Sequence, residues 1–267
     1  MNPPIQSFDL ETRLTPLEEG RFAGLVHPAW NIGQNPNGGY LLSIAMSALR
    51  QAAPQHADPL SVTVHYLRPG LAGQPCSVDT RILRSGRTLT TARATLHQEG
   101  GARLEVLAAL GDLHADSSHR LTLPMPEIPP PESCVSRSGD EQGVHLPILD
   151  RVDIRLNPEE ARAGAAGRAQ VTGWIRFQDG RDPDPLASLL FADAFPPSVF
   201  GLLGMVGWVP TIELTVHVRR RPAPGWMLGQ FRTLDMIDGR IIEDGALWDS
   251  NGDLIAQSRQ LALVRQA

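Results

Sequence analysis

Alternation of apolar and polar positions dominates two long stretches of the chain. The first holds SVTVHYLRPG (61–70), then SVDTRIL, TLTTARATLHQEG and RLEVLAAL. The second holds IELTVHVRRRP (212–222), then MLGQFRTLDMID, RIIEDGALWDSNGD and LIAQSRQLALVR. Each predicts one strand, a basic-Pro turn and three further strands separated by Gly-containing turns. Ahead of each stretch the period changes. GGYLLSIAMSAL (38–49) is apolar on nearly every side, which predicts a helix that something must wrap. DPLASLLFADA (184–194) predicts a second helix, with Asp184 as N-cap and Pro185 at its first position. A short strand pattern ending near a Trp precedes each helix, in RFAGLVHPAW and AQVTGWIRF.

Thr-Val-His recurs at Thr63 and Thr215, 152 residues apart. The shared order of elements predicts a duplicated α+β unit, two antiparallel sheets each wrapped around one central helix. LTLPMPEIPPPE (121–132) carries five prolines and reads as an extended connector between the copies. The expected limits are residues 1–115, a connector over 116–147, and 148–267.

Composition narrows the class. With 42% hydrophobic residues, the 267-residue chain has enough apolar material for a large core. A formal net charge of −5 argues against a broad nucleic-acid surface. Cys76 and Cys134 match neither a disulfide framework nor a metal-ligand spacing. The opening residues show no basic start or apolar stretch of a signal peptide, and no apolar run is long enough to span a membrane. A cytoplasmic protein is expected. No Gly-x-Ser-x-Gly, His-Glu-x-x-His, phosphate-binding loop or Gly-x-Gly-x-x-Gly is present, and the glycines of GLLGMVG (201–207) have the wrong spacing for a dinucleotide. These gaps disfavour a covalent hydrolase or a metalloenzyme.

Several segments resemble the bacterial acyl-CoA thioesterase II family. GGYLLSIAM (38–46), VHYLRPG (64–70) and LRSGRTLTTARA (83–94) are similar to its first half; LLFADAFPP (189–197), PTIEL (210–214) and AQSRQLALVR (256–265) to its second. Ser43-Ile44 stands where the family often carries Gly-Gln. The resemblance implies a double hotdog fold, a role in lipid metabolism and thioester hydrolysis by direct water attack, without metal or cofactor. By the same resemblance, the catalytic Asp, Thr and Gln match Asp193, Thr211 and Gln260.

The residues carry their own reading beside this. Asp193 follows Leu186, Leu189 and Leu190 at i+7, on the apolar stripe, where a lone charge is costly. Burial and the nearby helix C-terminus would lift its pKa toward that of a general base; a frayed last turn would instead expose it. Gln260 is the large polar side chain on a mostly small or apolar strand face, unless the other parity points inward. Parity groups Thr211 with Glu213, Thr215 and His217 on a polar face, leaving Thr215 as the fallback if a bulge shifts the register. Gly38 and Gly39 either offer free amides to an oxyanion or form a plain capping turn. His65 and His217 read as structural or half-exposed. Arg219 and Arg221, with Arg68 in the matching place, either meet coenzyme A phosphates or form a solvated strand end. PPSVFGLLGMVGWVP (196–210), too rich in Gly and Pro for a regular element, either walls an acyl tunnel or is a core loop. The rival readings are a hotdog acyl-CoA hydratase or dehydratase, for which His27 and His65 would supply the base, and a non-catalytic acyl-thioester binding protein. Free sheet edges leave room for a homodimer or a higher homo-oligomer.

Overall fold

The alternating segments form strands and the all-round apolar segments form helices. The structure is a computed structural model that describes residues 6–114, 121–140 and 143–264. The expected limits at residues 1, 115–116 and 267 therefore lie outside the described residues. A short helix α1 (Ser7–Glu11) is followed by β1 (Thr15–Glu18), β2 (Arg21–Leu25), and a small hairpin of β3 (Asn31–Ile32) and β4 (Asn35–Pro36). Next come α2 (Gly38–Ala52), β5 (Asp58–Tyr66), β6 (Pro75–Ser85), β7 (Leu89–Gln98) and β8 (Gly101–Gly111). The second half holds β9 (Val135–Ser136), β10 (Val152–Leu156), β11 (Gln170–Phe177), α3 (Pro185–Phe191) and the short α4 (Phe200–Leu203). It ends with β12 (Thr211–Val218), β13 (Met227–Ile237), β14 (Arg240–Trp248) and β15 (Leu254–Leu263).

Among the described residues the large strands make one antiparallel sheet of thirteen, in the order β1-β2-β6-β7-β8-β5-β12-β15-β14-β13-β11-β10-β9. The two expected sheets are thus continuous, joined where β5 pairs with β12. At that seam Thr63 lies opposite Thr215, their Oγ1 atoms 2.8 Å apart, with Val62 opposite Val216 and Val64 opposite Leu214. The repeated Thr-Val-His therefore marks a local two-fold axis between the copies. The sheet curves around α2, which packs on β5, β6, β7 and β8, and around α3, which packs on α2, β5 and β12. Leu42, Ile44, Met46, Leu49, Leu189 and Leu190 are almost fully buried, so the helices form the centre of the core. This is the double hotdog arrangement, an α+β fold.

Part of the expected connector behaves as structure. Val135–Ser136 extends the sheet by pairing with β10. Prolines lack an N–H, and the segment contributes acceptors: Leu123 O receives the Trp248 indole N–H at 3.0 Å and Pro129 O that of Trp174 at 2.9 Å. No helix among the described residues is long and apolar enough to cross a membrane.

Candidate active site

Two helix ends meet at one point. The β3–β4 hairpin turns at Gly33, whose φ of 61° suits glycine, and delivers Asn37 to the start of α2. Asn37 Oδ1 accepts the Tyr40 N–H at 2.9 Å, capping the helix. Its Nδ2 donates outward, to the Asp193 carbonyl at 2.8 Å and to Asp193 Oδ2 at 3.0 Å. The Gly39 N–H donates to the same Oδ2 at 2.8 Å. Asp193 sits just past the end of α3, its N–H donating to Leu190 O at 3.0 Å. The contact between the helices is backbone to backbone. A Cβ on Gly39 would lie 2.9 Å from Leu189 O and 3.0 Å from Leu190 Cα, so only glycine fits. Arg137, from the segment before β10, donates to Ala194 O and steadies the residue after Asp193; burial lowers its pKa to about 10.

Electrostatics make Asp193 a weak acid with a partial retinue of donors. Burial is the largest influence and pushes its pKa up to about 6, from an ordinary 3.8. The Glu243 charge adds to the rise; the Gly39, Asn37 and Gly38 donors hold it back. Glu243 is itself buried and raised by burial, with Oε2 accepting the Ser198 N–H at 2.8 Å. Its Oε1 accepts from Gln260 Nε2 at 2.6 Å, and Gln260 Oε1 accepts from Thr211 Oγ1 at 3.0 Å. An ionised carboxylate only accepts, so Glu243 fixes which end of the Gln260 amide turns to Thr211. Asp193, Thr211, Glu243 and Gln260 all line a cavity of about 670 Å³. Phe195, Phe200, Met205 and Val209 supply apolar wall.

The structure brings some of the expected residues together and leaves others apart. Asp193 turns toward the cavity, where the frayed-turn alternative would have put it in water. Gln260 shares its face with buried Ala256 and Ala262, while Gln257 and Arg259 are exposed. Thr211 leaves the polar parity because β12 slips against β15 between Thr211 and Glu213, which brings its hydroxyl to Gln260. Thr215 is spent at the seam. Gly38 and Gly39 open the helix behind the Asn37 cap, and the amides expected to be free for an oxyanion turn instead to the Asp193 carboxylate. Arg219 and Arg221 are not brought to the cavity. They follow the far end of β12, eight and ten residues beyond Thr211 at about 3.3 Å per residue, and Arg221 pairs with buried Asp58 at 2.7 Å. Arg68 does line the cavity. His65 and His217 are exposed, and His27 lies beside Glu11, outside the lining. The run 196–210 lines the cavity and, against expectation, contains a turn of helix, α4. Four residues at the site lie outside the sequence reading: Asn37 and Arg137, which hold the chain at Asp193 and Ala194, and Glu243 and Tyr66, which line the cavity. Glu243 was findable: it shares strand parity with Ile241 and Leu247, both buried.

Residues 26–114 match the family model of the acyl-CoA thioesterase N-terminal domain, and residues 131–264 that of the acyl-CoA thioesterase C-terminal domain. The chain belongs to the acyl-CoA thioesterase family, in its two-domain, thioesterase II-like form. A thioesterase II candidate from Thermobifida fusca, known from a crystal structure, is 34% identical with a TM-score of 0.89 over 99% of both chains. An uncharacterised protein of Mycobacterium tuberculosis is 28% identical over 91% of this chain and 90% of its own. Acyl-CoA thioesterase 2 of Haemophilus influenzae is 24% identical over 85% of this chain and 87% of its own.

Proposed function

We propose that the protein hydrolyses the thioester of a fatty or related acyl-CoA by direct attack of water. Asp193 is the general base, and Thr211 and Gln260 hold the water beside it. As the water oxygen bonds to the thioester carbon, Asp193 takes a water proton and the carbonyl π pair moves onto oxygen. Collapse of that intermediate breaks the C–S bond. The coenzyme A thiolate leaves with the proton returned by Asp193, and the acid is the other product. The apolar wall built by residues 195–210 takes the acyl chain, and Arg68 on the cavity wall, in place of Arg219 and Arg221, meets a coenzyme A phosphate.

The observation that carries this reading is a carboxylate lifted to about 6 on the wall of a cavity shared with the Thr211–Gln260 pair. A base of that pKa is ionised at neutral pH and still takes a proton in the transition state. A hydratase needs a paired base at the acyl α- or β-carbon, and neither His27 nor His65 reaches the cavity. Free thiol released from a panel of acyl-CoAs, read with a thiol reagent, tests the proposal. Wild type should release thiol and Asp193→Asn should release almost none. Tight acyl-CoA binding with no turnover of any panel member would favour the binding protein instead.

A further inference from the structure

Hydrolysis at Asp193 leaves one requirement unmet, a donor for the oxygen that gains the carbonyl pair. The helix amides proposed for it from sequence are already committed: Gly39 donates to Asp193 Oδ2 at 2.8 Å, and Gly38 addresses the same carboxylate. A different donor stands idle. The Tyr66 hydroxyl is buried and, among the described residues, has no hydrogen-bond partner. Buried hydroxyls are normally paired, and an unpaired one in a cavity wall marks a place for a ligand atom. Tyr66 lines the same cavity as Asp193. The two groups flank Gly38 closely. A Cβ built there would lie 2.9 Å from Tyr66 Oη and 3.0 Å from Asp193 Oδ2, so the missing side chain leaves the space between them open.

We infer that Tyr66 is a catalytic residue, whose O–H donates to the thioester carbonyl oxygen and to the oxyanion formed on water attack. The inference rests on the hydrolase reading. During the step the Tyr66 proton stays on Tyr66; the only proton moved is the water proton taken by Asp193 and later given to the departing sulfur. Burial, and then the Asp193 charge, raises the Tyr66 pKa well above its ordinary range, so the group remains a donor throughout. Its position is held from the sheet. Tyr66 ends β5 opposite Leu104, and the next two N–H groups, of Leu67 and Arg68, donate to Arg103 O at 2.8 and 3.2 Å. The ring belongs to the inward parity of Val62 and Val64, which brings the hydroxyl to the helix ends.

Tyr66→Phe removes the donor and keeps the ring. Its kcat should fall about 100- to 1000-fold, the usual effect of losing one oxyanion donor, with KM changed less than threefold and the melting temperature near that of wild type. A kcat within threefold of wild type overturns the inference. A second readout separates this failure from that of the hydrolase reading. Infrared spectra of octanoyl-CoA bound to Asp193→Asn should show the thioester carbonyl band below its frequency in water. The double variant Asp193→Asn with Tyr66→Phe should lose that shift. An unshifted band, or a shift that survives the second substitution, overturns the assignment even if no acyl-CoA is turned over by wild type.

Discussion

Asp193 is costly to the fold. Its folded pKa of about 6 exceeds the ordinary 3.8, so between those values the native state holds a proton that the unfolded chain releases. Stability therefore falls as pH rises through that window, and the full penalty, on the order of 3 kcal/mol, is present above it. Asp193→Asn should abolish turnover and raise the melting temperature at pH 7.5, with the gain vanishing near pH 3.5; matched thermal melts at the two pH values check this. An Asn Oδ1 can keep the Gly39 and Asn37 donors, so the substitution removes charge more than contacts. Glu243→Gln should lower the Asp193 pKa by deleting a like charge, moving the acidic limb of kcat/KM to lower pH. It should also lower kcat, because Gln offers one acceptor oxygen where Glu243 offers two, so the Ser198 N–H and Gln260 Nε2 compete for it and the Gln260 amide loses its fixed orientation. The nearby charged groups are Arg137 and Arg68 on the cavity wall and Asp244 beside Glu243, and the substitution leaves these in place. At this scale the sequence was partly legible. Asp193 stood out because it occupies an apolar helical stripe, and Gln260 because it interrupts an apolar strand face. Thr211 was hidden by a one-residue slip in the ladder, which alternation cannot show. Tyr66 was hidden because an inward tyrosine at a strand end looks like core.

Helix ends set the site. The N-terminus of α2 meets the last turn of α3 and Asp193 just beyond it, and the helices can approach only because position 39 has no side chain. Gly39→Ala should force the helices apart, at a cost of about 1–3 kcal/mol for overpacking, and lower activity with it. A urea titration of the variant alongside the thiol-release rate measures both effects. The cap signals were readable: Asp184 accepts the Ala187 N–H at 2.7 Å with Pro185 next, as the residue order predicts. What the residue order could not show is that Asn37 caps one helix and grips the end of the other. That contact joins residues 156 positions apart, beyond any local pattern.

The whole molecule is a duplicated unit whose halves differ at the positions of the candidate site. The registers Val62–Ala108 and Leu214–Gln260 are equivalent about the seam, so Gln260 corresponds to Ala108, and Glu243 to Ala92. Across the local axis the start of α3 meets the end of α2 through a salt contact of 3.9 Å between Asp184 and Arg50. One acyl-CoA should therefore bind per chain, which titration calorimetry on Asp193→Asn measures; two equivalent sites would contradict the asymmetry. The halves are also fastened beyond the sheet. Phe8 of α1 packs on Trp30 and on Phe177, and Glu11 takes the Arg151 guanidinium at 2.7 and 2.9 Å. Unfolding should be one cooperative transition with equal calorimetric and van't Hoff enthalpies. The duplication was visible in the recurring Thr-Val-His. The merging of two sheets into one was not, because pairing of β5 with β12 is a contact between copies.

The most direct measurement is the pH dependence of thiol release from the best acyl-CoA substrate, from pH 4.5 to 8, for wild type and Asp193→Asn. The expected result is a wild-type kcat/KM that rises with pH along a limb centred near 6, over a variant rate close to background at every pH. A wild-type profile flat through that range, or a variant with wild-type turnover, would contradict a buried Asp193 carboxylate as the base.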